Sequence, residues 1–203
     1  MRVAGIITEY NPLHSGHVHL MEETRRRLGA DTAVLCVMSG CFVQRGDFAL
    51  VGKYARAEAA VRSGADLVVE LGLPWAVSSA ERFADGGVAA LLATGLVTDL
   101  AFGSECGDAA PLWRLARALT GEDFPHRLRR ELEKGVSFAA ARQRAAEGLV
   151  SREDAALLER PNNILGVEYC KSLLRRGGEL RVLTVPRQGA AHDGGAPVGE
   201  HPS

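Results

Sequence analysis

Val3-Ala4-Gly5-Ile6-Ile7, running on into Thr8-Glu9-Tyr10-Asn11-Pro12-Leu13-His14-Ser15-Gly16-His17, is the stretch whose reading decides the fold. The first five residues form an apolar run of strand length, buried on both faces. The residues through Gly16 carry the asparagine, proline and glycine of a loop. From His17 to Leu28 the spacing predicts a helix, and Gly29 stops it. A strand, a loop and a helix in immediate succession make the first unit of an α/β sheet.

The alternation continues outward from there. Strands are expected from Thr32 to Met38, Asp66 to Leu71 and Leu96 to Phe102, with helices from Tyr54 to Ser63 and Ala80 to Thr94. Between them, Ser39 to Gly52 is polar, rich in glycine and long, and long loops in compact domains often carry function. The expected fold class is α/β, a doubly wound parallel sheet whose ligand lies beyond the carboxyl ends of the strands. After Asp108 the pattern turns helical, over 111–119, 125–134, 138–147, 152–159 and 163–174, before a last strand from Leu180 to Val185. This divides the chain into an α/β core (1–107) with its expected ligand site, an appended helical subdomain (108–176) and a return strand with a loop (177–203). The tail from Gly189 to Ser203 is rich in glycine, lacks periodicity and reads as a loop cut short, so the chain is expected to be a piece of a longer one.

Of the 203 residues, 46% are hydrophobic and 24% charged, enough for a sizeable core under a soluble surface. The formal net charge of −1 gives no bulk electrostatic case for nucleic acid. No apolar stretch is long enough to span a bilayer, and Met1-Arg2-Val3-Ala4-Gly5 leads straight into a strand, so neither a membrane partner nor a signal peptide is expected. Cys36, Cys41, Cys106 and Cys170 form no C-x-x-C pair, which fits a reducing cytoplasm and no zinc site. Lys53, Lys134 and Lys171 are the lysines beside a large excess of arginine. That excess reflects either phosphate recognition or genomic base composition. The arginines of the helical part (Arg114, Arg117, Arg127, Arg129, Arg130, Arg142, Arg144 and Arg152) are either solvated helix faces or a basic surface for a polyanion.

The chemistry centres on His14-Ser15-Gly16-His17. A helix N-terminus offers unpaired N–H groups and a partial positive charge, a ready seat for phosphate. Gly16 lets the backbone approach a ligand. His14 and His17, three apart, can project to one side and donate to phosphoryl oxygens as negative charge grows on a leaving group. The bland alternatives are a helix cap at His17 with a surface His14, or a metal pair. No lysine-bearing P-loop is present. Arg45, Lys53 and Arg56 could meet a triphosphate or an RNA backbone, or Lys53 and Arg56 could make ion pairs with Glu58 or Asp47. Glu70 and Glu105, at strand ends, could bind magnesium through water or pair with an arginine.

The His-x-Gly-His element after a first strand resembles the signature of the nucleotidyltransferase superfamily, which includes the class I aminoacyl-tRNA synthetases. The segment from Gly5 to His17 is similar, more closely, to the opening of the bacterial tRNA-Met cytidine acetate ligases. Met38-Ser39-Gly40 with Gln44-Arg45-Gly46, Lys53-Tyr54-Ala55-Arg56, the segment from Ala65 to Leu71, Phe102-Gly103-Ser104-Glu105, and Pro161-Asn162-Asn163-Ile164-Leu165-Gly166 continue the resemblance in order. It departs at Leu13, Ser15, Cys41, Gly72 and Ala190-Ala191-His192-Asp193, and lacks a later motif ending in arginine.

The resemblance implies a Rossmann-like nucleotidyltransferase fold and an ATP-dependent ligase. Such an enzyme forms acetyl-adenylate from acetate and ATP, with Mg2+, and acetylates the wobble cytidine of elongator tRNA-Met to N4-acetylcytidine. It implies His14 and His17 as catalytic residues. It also implies that ATP is held by Ile7, Thr8, Glu9, Tyr10, Asn11, Pro12, Leu13, His14, Ser15, Gly16, His17, Val18, His19, Leu20, Gly103, Asn162 and Arg187, with no resident metal ligands. On the residues alone, Asn162 could equally be a plain helix cap and Arg187 a surface charge. Two other functions stay open: a small-molecule nucleotidyltransferase, and a non-catalytic nucleotide- or RNA-binding fragment.

Overall fold

A computed structural model describes residues 1–187; the tail, with Ala190-Ala191-His192-Asp193, and the Arg45 side chain lie outside the described residues. Among the described residues, five strands form one sheet: β1 (Val3–Thr8), β2 (Ala33–Ser39), β3 (Leu67–Leu71), β4 (Asp99–Ser104) and β5 (Arg181–Pro186). They pair in parallel in the order β3-β2-β1-β4-β5. The order reverses between β1 and β4, and that switch point is where a doubly wound sheet opens a crevice at its carboxyl edge. The ladder supports this. β1 and β2 pair from Val3↔Ala33 to Thr8↔Met38, whereas β1 and β4 pair only at Ala4↔Asp99 and Gly5↔Leu100.

Side chains alternate across the sheet, so β1 feeds two cores. Ile6 joins Val34, Cys36 and Met38 under α1 (Ser15–Leu28) and α2 (Lys53–Arg62), which contribute Met21 and Ala60. Ile7 joins Leu35, Val37, Leu100 and Phe102 on the opposite face, under α4 (Ala80–Ala93), α5 (Ala109–Thr120) and α9 (Pro161–Arg176). Gly87 lets α4 lie directly on β1, because a Cβ there would come within 2.7 Å of the Ile7 side chain. The same apolar cluster runs on through Phe124 of α6 (Asp123–Leu132), Ala145 and Ala146 of α7 (Phe138–Glu147), and Ala155 of α8 (Arg152–Ala156). The helical stretch therefore shares one core with the sheet.

Element types follow the sequence reading, with local shifts. α1 begins at Ser15 rather than His17, because His14 caps it. A short helix, α3 (Leu73–Ala76), follows β3 in a segment to which the sequence reading assigns no element. The last turn expected of the 152–159 helix is a separate 3-10 turn, Leu157–Glu159. Of the arginines named above, Arg114 and Arg142 are engaged in ion pairs. Arg114 grips Asp154 with both Nε and Nη2 (2.6 and 2.8 Å), and Arg142 faces buried Glu168 (3.5 Å), which Lys171 also meets at 2.6 Å.

A candidate nucleotide site at the carboxyl edge of the sheet

β1 delivers Thr8 and Glu9 to the edge, where the chain turns sharply. Tyr10 adopts a left-handed backbone (φ 47°), a sparsely populated region for a residue with a Cβ, and the Asn11-Pro12 peptide is cis. The Tyr10 ring is buried against the α1 core, its hydroxyl 3.3 Å from Cys36 Sγ. Leu13 and Leu20 pack on the same core, and the Ile7 side chain lies in the opposite one, so Ile7 offers a ligand only its backbone. Ser15, Gly16, Val18 and His19 occupy the half-exposed first turns of α1.

The two histidines cap α1 reciprocally. His14 Nδ1 accepts from the Gly16 N–H (3.1 Å), and His17 Nδ1 accepts from the His14 N–H (3.2 Å). This is the geometry of a capping box, built from imidazoles in place of a hydroxyl and a carboxylate. An accepting Nδ1 assigns the proton of each neutral ring to Nε2. The rings stack 3.8 Å apart at 29°, and the Tyr10 ring meets His17 edge-on at 4.9 Å. Burial, then the neighbouring His14 and the Arg187 guanidinium, push the His17 pKa down to about 3. His17 is therefore neutral across the ordinary range of pH. No acidic residue lies in the first turn of α1, so no carboxylate of that turn opposes the positive end of its dipole.

Gly103, Asn162 and Arg187 gather on the far side of the switch point. β4 ends at Ser104, and the Arg187 N–H donates to the Ser104 carbonyl (2.9 Å). A Cβ at Gly103 would come within 3.2 Å of Arg187 Cγ, so glycine lets that side chain lie along the strand end. Arg187 Nη1 donates to Asn162 Oδ1 (3.4 Å). Burial holds the guanidinium below its ordinary pKa, and the Glu105 carboxylate opposes that shift. Asn162 is not a helix cap; it is the second residue of α9. Its Nδ2 and backbone N–H both donate to Glu105 Oε1 (2.8 and 3.2 Å), while the Asn163 N–H donates to Glu105 Oε2 (2.7 Å). Glu105 thus caps α9, and it orients Asn162, which in turn meets Arg187.

Other expected roles change. Arg56 is 2% exposed and donates to the carbonyls of Glu9, Gly40 and Val51, so it ties the ends of β1 and β2 to α2 and is unavailable to phosphate or RNA. Lys53 pairs with Glu70 (2.7 Å), not with Glu58 or Asp47, and Glu58 pairs with Arg62. Glu70 meets that lysine, and Glu105 meets helix N–H groups. Sequence reasoning missed the bracing of the histidine loop by the β2–α2 loop. The Gln44 N–H donates to Glu9 Oε1 (2.6 Å), and the Leu50 N–H to Asn11 Oδ1 (2.7 Å). Only the length of that loop hinted at it. Among the described residues, no group of three or more His, Cys, Asp or Glu could hold a metal ion, and no helix is long and apolar enough to cross a membrane.

Known proteins are similar to this chain. The chain is 46% identical to the tRNA(Met) cytidine acetate ligase of Syntrophotalea carbinolica, over 95% of its own length and 46% of that protein's. It is 42% identical to the same-named protein of Clostridium acetobutylicum, over 93% and 49%. The crystal structure of Thermotoga maritima TmcAL bound with alpha-thio ATP superposes with a TM-score of 0.87 at 43% identity, over 94% of this chain and 47% of that one. The apo form of that protein gives 0.92 at 41%, over 100% and 49%. The chain spans about half the length of the curated relatives it matches. The family model described as HIGH Nucleotidyl Transferase matches residues 1–197, and the chain belongs to that family.

Proposed function

We propose that this chain carries the ATP site of a tRNA(Met) cytidine acetate ligase, acting in the cytoplasm on acetate, ATP and elongator tRNA-Met. In the first step an acetate oxygen attacks the α-phosphorus. The bond to the β-phosphate breaks, and pyrophosphate leaves with the electron pair. In the second, the exocyclic amine of the wobble cytidine attacks the acetyl carbonyl, AMP leaves and the amine gives up a proton. One observation carries the reading: two imidazoles cap α1 through Nδ1, which assigns the protons of the neutral rings to Nε2 at a helix N-terminus with no acidic residue in its first turn. Neutral donors of this kind stabilise the charge that grows on the departing phosphate, with no reorganisation at the moment of reaction.

The donor set suits the nucleotide. The first turn of α1 and the backbone of the loop from Thr8 to Leu13 receive phosphates, Arg187 adds a cation, and Asn162 offers an amide beside Gly103. The names of the relatives and the ATP analogue in the Thermotoga protein point the same way. Among the described residues, no group of three or more His, Cys, Asp or Glu could hold a magnesium ion. The helical stretch, residues 108–176, is inferred to be an addition that the 1–107 core and the 177–203 return strand enclose.

The test is isotope exchange between pyrophosphate and ATP. Exchange that needs acetate, and is weaker with longer acids, supports the reading. Exchange that is absent, or equal with any acid, overturns it.

A further inference from the structure

The β2–α2 loop stands against the histidine loop, yet the nucleotide chemistry leaves its side chains without a role. It folds back on itself, with the Val43 N–H donating to the Asp47 carbonyl and the Ala49 N–H to the Cys41 carbonyl, both at 3.0 Å. The Phe42 and Phe48 rings lie 4.7 Å apart. Gln44 and Leu50 fasten the loop to Glu9 and Asn11, and buried Arg56 fastens its base. A loop braced so thoroughly would be expected to bury its apolar side chains. Instead Phe48 is 76% exposed and Leu50 75%, and Tyr54, in the first turn of α2 just after the loop, is 82% exposed. Exposed apolar groups on a braced surface mark a contact face.

Position and chemistry indicate the occupant. Because the loop is bonded to Glu9 and Asn11, an acceptor that brings an amine to the N-terminus of α1 passes beside it. Two of the exposed groups are flat aromatic rings, and Lys53 Nζ sits 5.5 Å from the centre of the Tyr54 ring. Exposed aromatic faces are how proteins hold unpaired bases, since every base has a π-face to stack. Lys53 itself is paired with Glu70. We propose that Phe48 and Tyr54 each offer a stacking platform for an unpaired base of the RNA acceptor, beside the nucleotide site. The proposal rests on the acetate-ligase reading and adds where the RNA sits.

The test compares the wild-type chain with Phe48→Ala, Tyr54→Ala and Tyr54→Phe. Anisotropy of a fluorescent anticodon stem-loop RNA containing the wobble cytidine, at one fixed salt concentration, reports affinity; acetate-dependent exchange reports the first step. Each alanine variant should bind the RNA about ten-fold more weakly, Tyr54→Phe should bind within two-fold of wild type, and all three should exchange as wild type does. The platform is overturned if wild type ignores the RNA, if the alanine variants bind it as wild type does, or if they lose exchange. It is equally overturned if sedimentation shows self-association that the alanine variants abolish, which would assign the face to protein contact. Lack of exchange in wild type would instead remove the reading on which the platform rests.

Discussion

Two helices, α1 and α9, begin at the same edge of the sheet on either side of the β1/β4 switch point, and their first turns are satisfied in opposite ways. At α9 a carboxylate does it: Glu105 accepts from the Asn162 and Asn163 N–H groups, and its charge cancels the dipole there. At α1 two neutral imidazoles do it, and no acidic residue lies in the turn. The first end is closed to an anion and acts as an anchor for Asn162 and, through it, Arg187. The second satisfies its own backbone without spending its positive field. On the proposed reading, the uncharged cap is what lets the start of α1 seat a phosphate while the start of α9 does not.

The largest effect should follow from removing the imidazoles. His14→Ala and His17→Ala are each expected to slow acetate-dependent exchange by about 10²-fold or more, through loss of a donor to the developing charge. The double variant should lose little beyond the worse single one, because each ring holds the other's geometry and groups that act as a unit are not additive. Each single change should also cost about 1 kcal/mol of stability for the lost cap, measured by urea unfolding. Exchange within ten-fold of wild type in both variants would erase the distinction between the two helix starts.

The neutrality of His17 gives a second handle. Its pKa of about 3 in the folded chain lies below the ordinary value of 6.5, so between those values the unfolded chain binds a proton that the folded chain does not. Stability from this group is thus fully present above pH 6.5 and declines as pH falls towards 3. Its slope approaches about 1.4 kcal/mol per pH unit. His17→Gln keeps an acceptor for the His14 N–H and removes the titration. The variant should therefore unfold with a shallower pH dependence than wild type between pH 6 and 4. Parallel curves would mean that His17 is charged in the folded chain, and α1 would then carry an extra cation in place of two neutral donors.

The sequence made the frame legible because each strand is a short apolar run bounded by glycine or polar residues, and that pattern survives without neighbours. Ile6 and Ile7 announced a strand buried on both faces, and it is the central one. The histidine pair was legible through its spacing. What the sequence could not carry was pairing across distance. Nothing local to Arg56 says that three backbone carbonyls consume it, and nothing local to Glu105 says that a helix starting 56 residues later will sit on it. The start of α1 was misplaced by two residues for a related reason: histidine is an uncommon cap, and its partner here is another histidine.

The smallest expected effect is also the most discriminating. Glu105→Gln keeps the shape of the α9 cap and one acceptor oxygen but removes the charge. If the carboxylate serves only as anchor, stability should fall by about 0.5–1 kcal/mol, the usual worth of an acid at a helix start. Affinity for a non-hydrolysable ATP analogue, by calorimetry, should then stay within about three-fold, because Asn162 can still be held through its amide. Glu105→Ala, which leaves nothing to hold Asn162, should weaken the analogue by about ten-fold, the loss of roughly one hydrogen bond's worth of positioning. If Glu105→Gln instead binds the analogue ten-fold more tightly, the carboxylate has been repelling phosphate from α9. Both helix starts would then be anion seats, one of them held shut by its own cap.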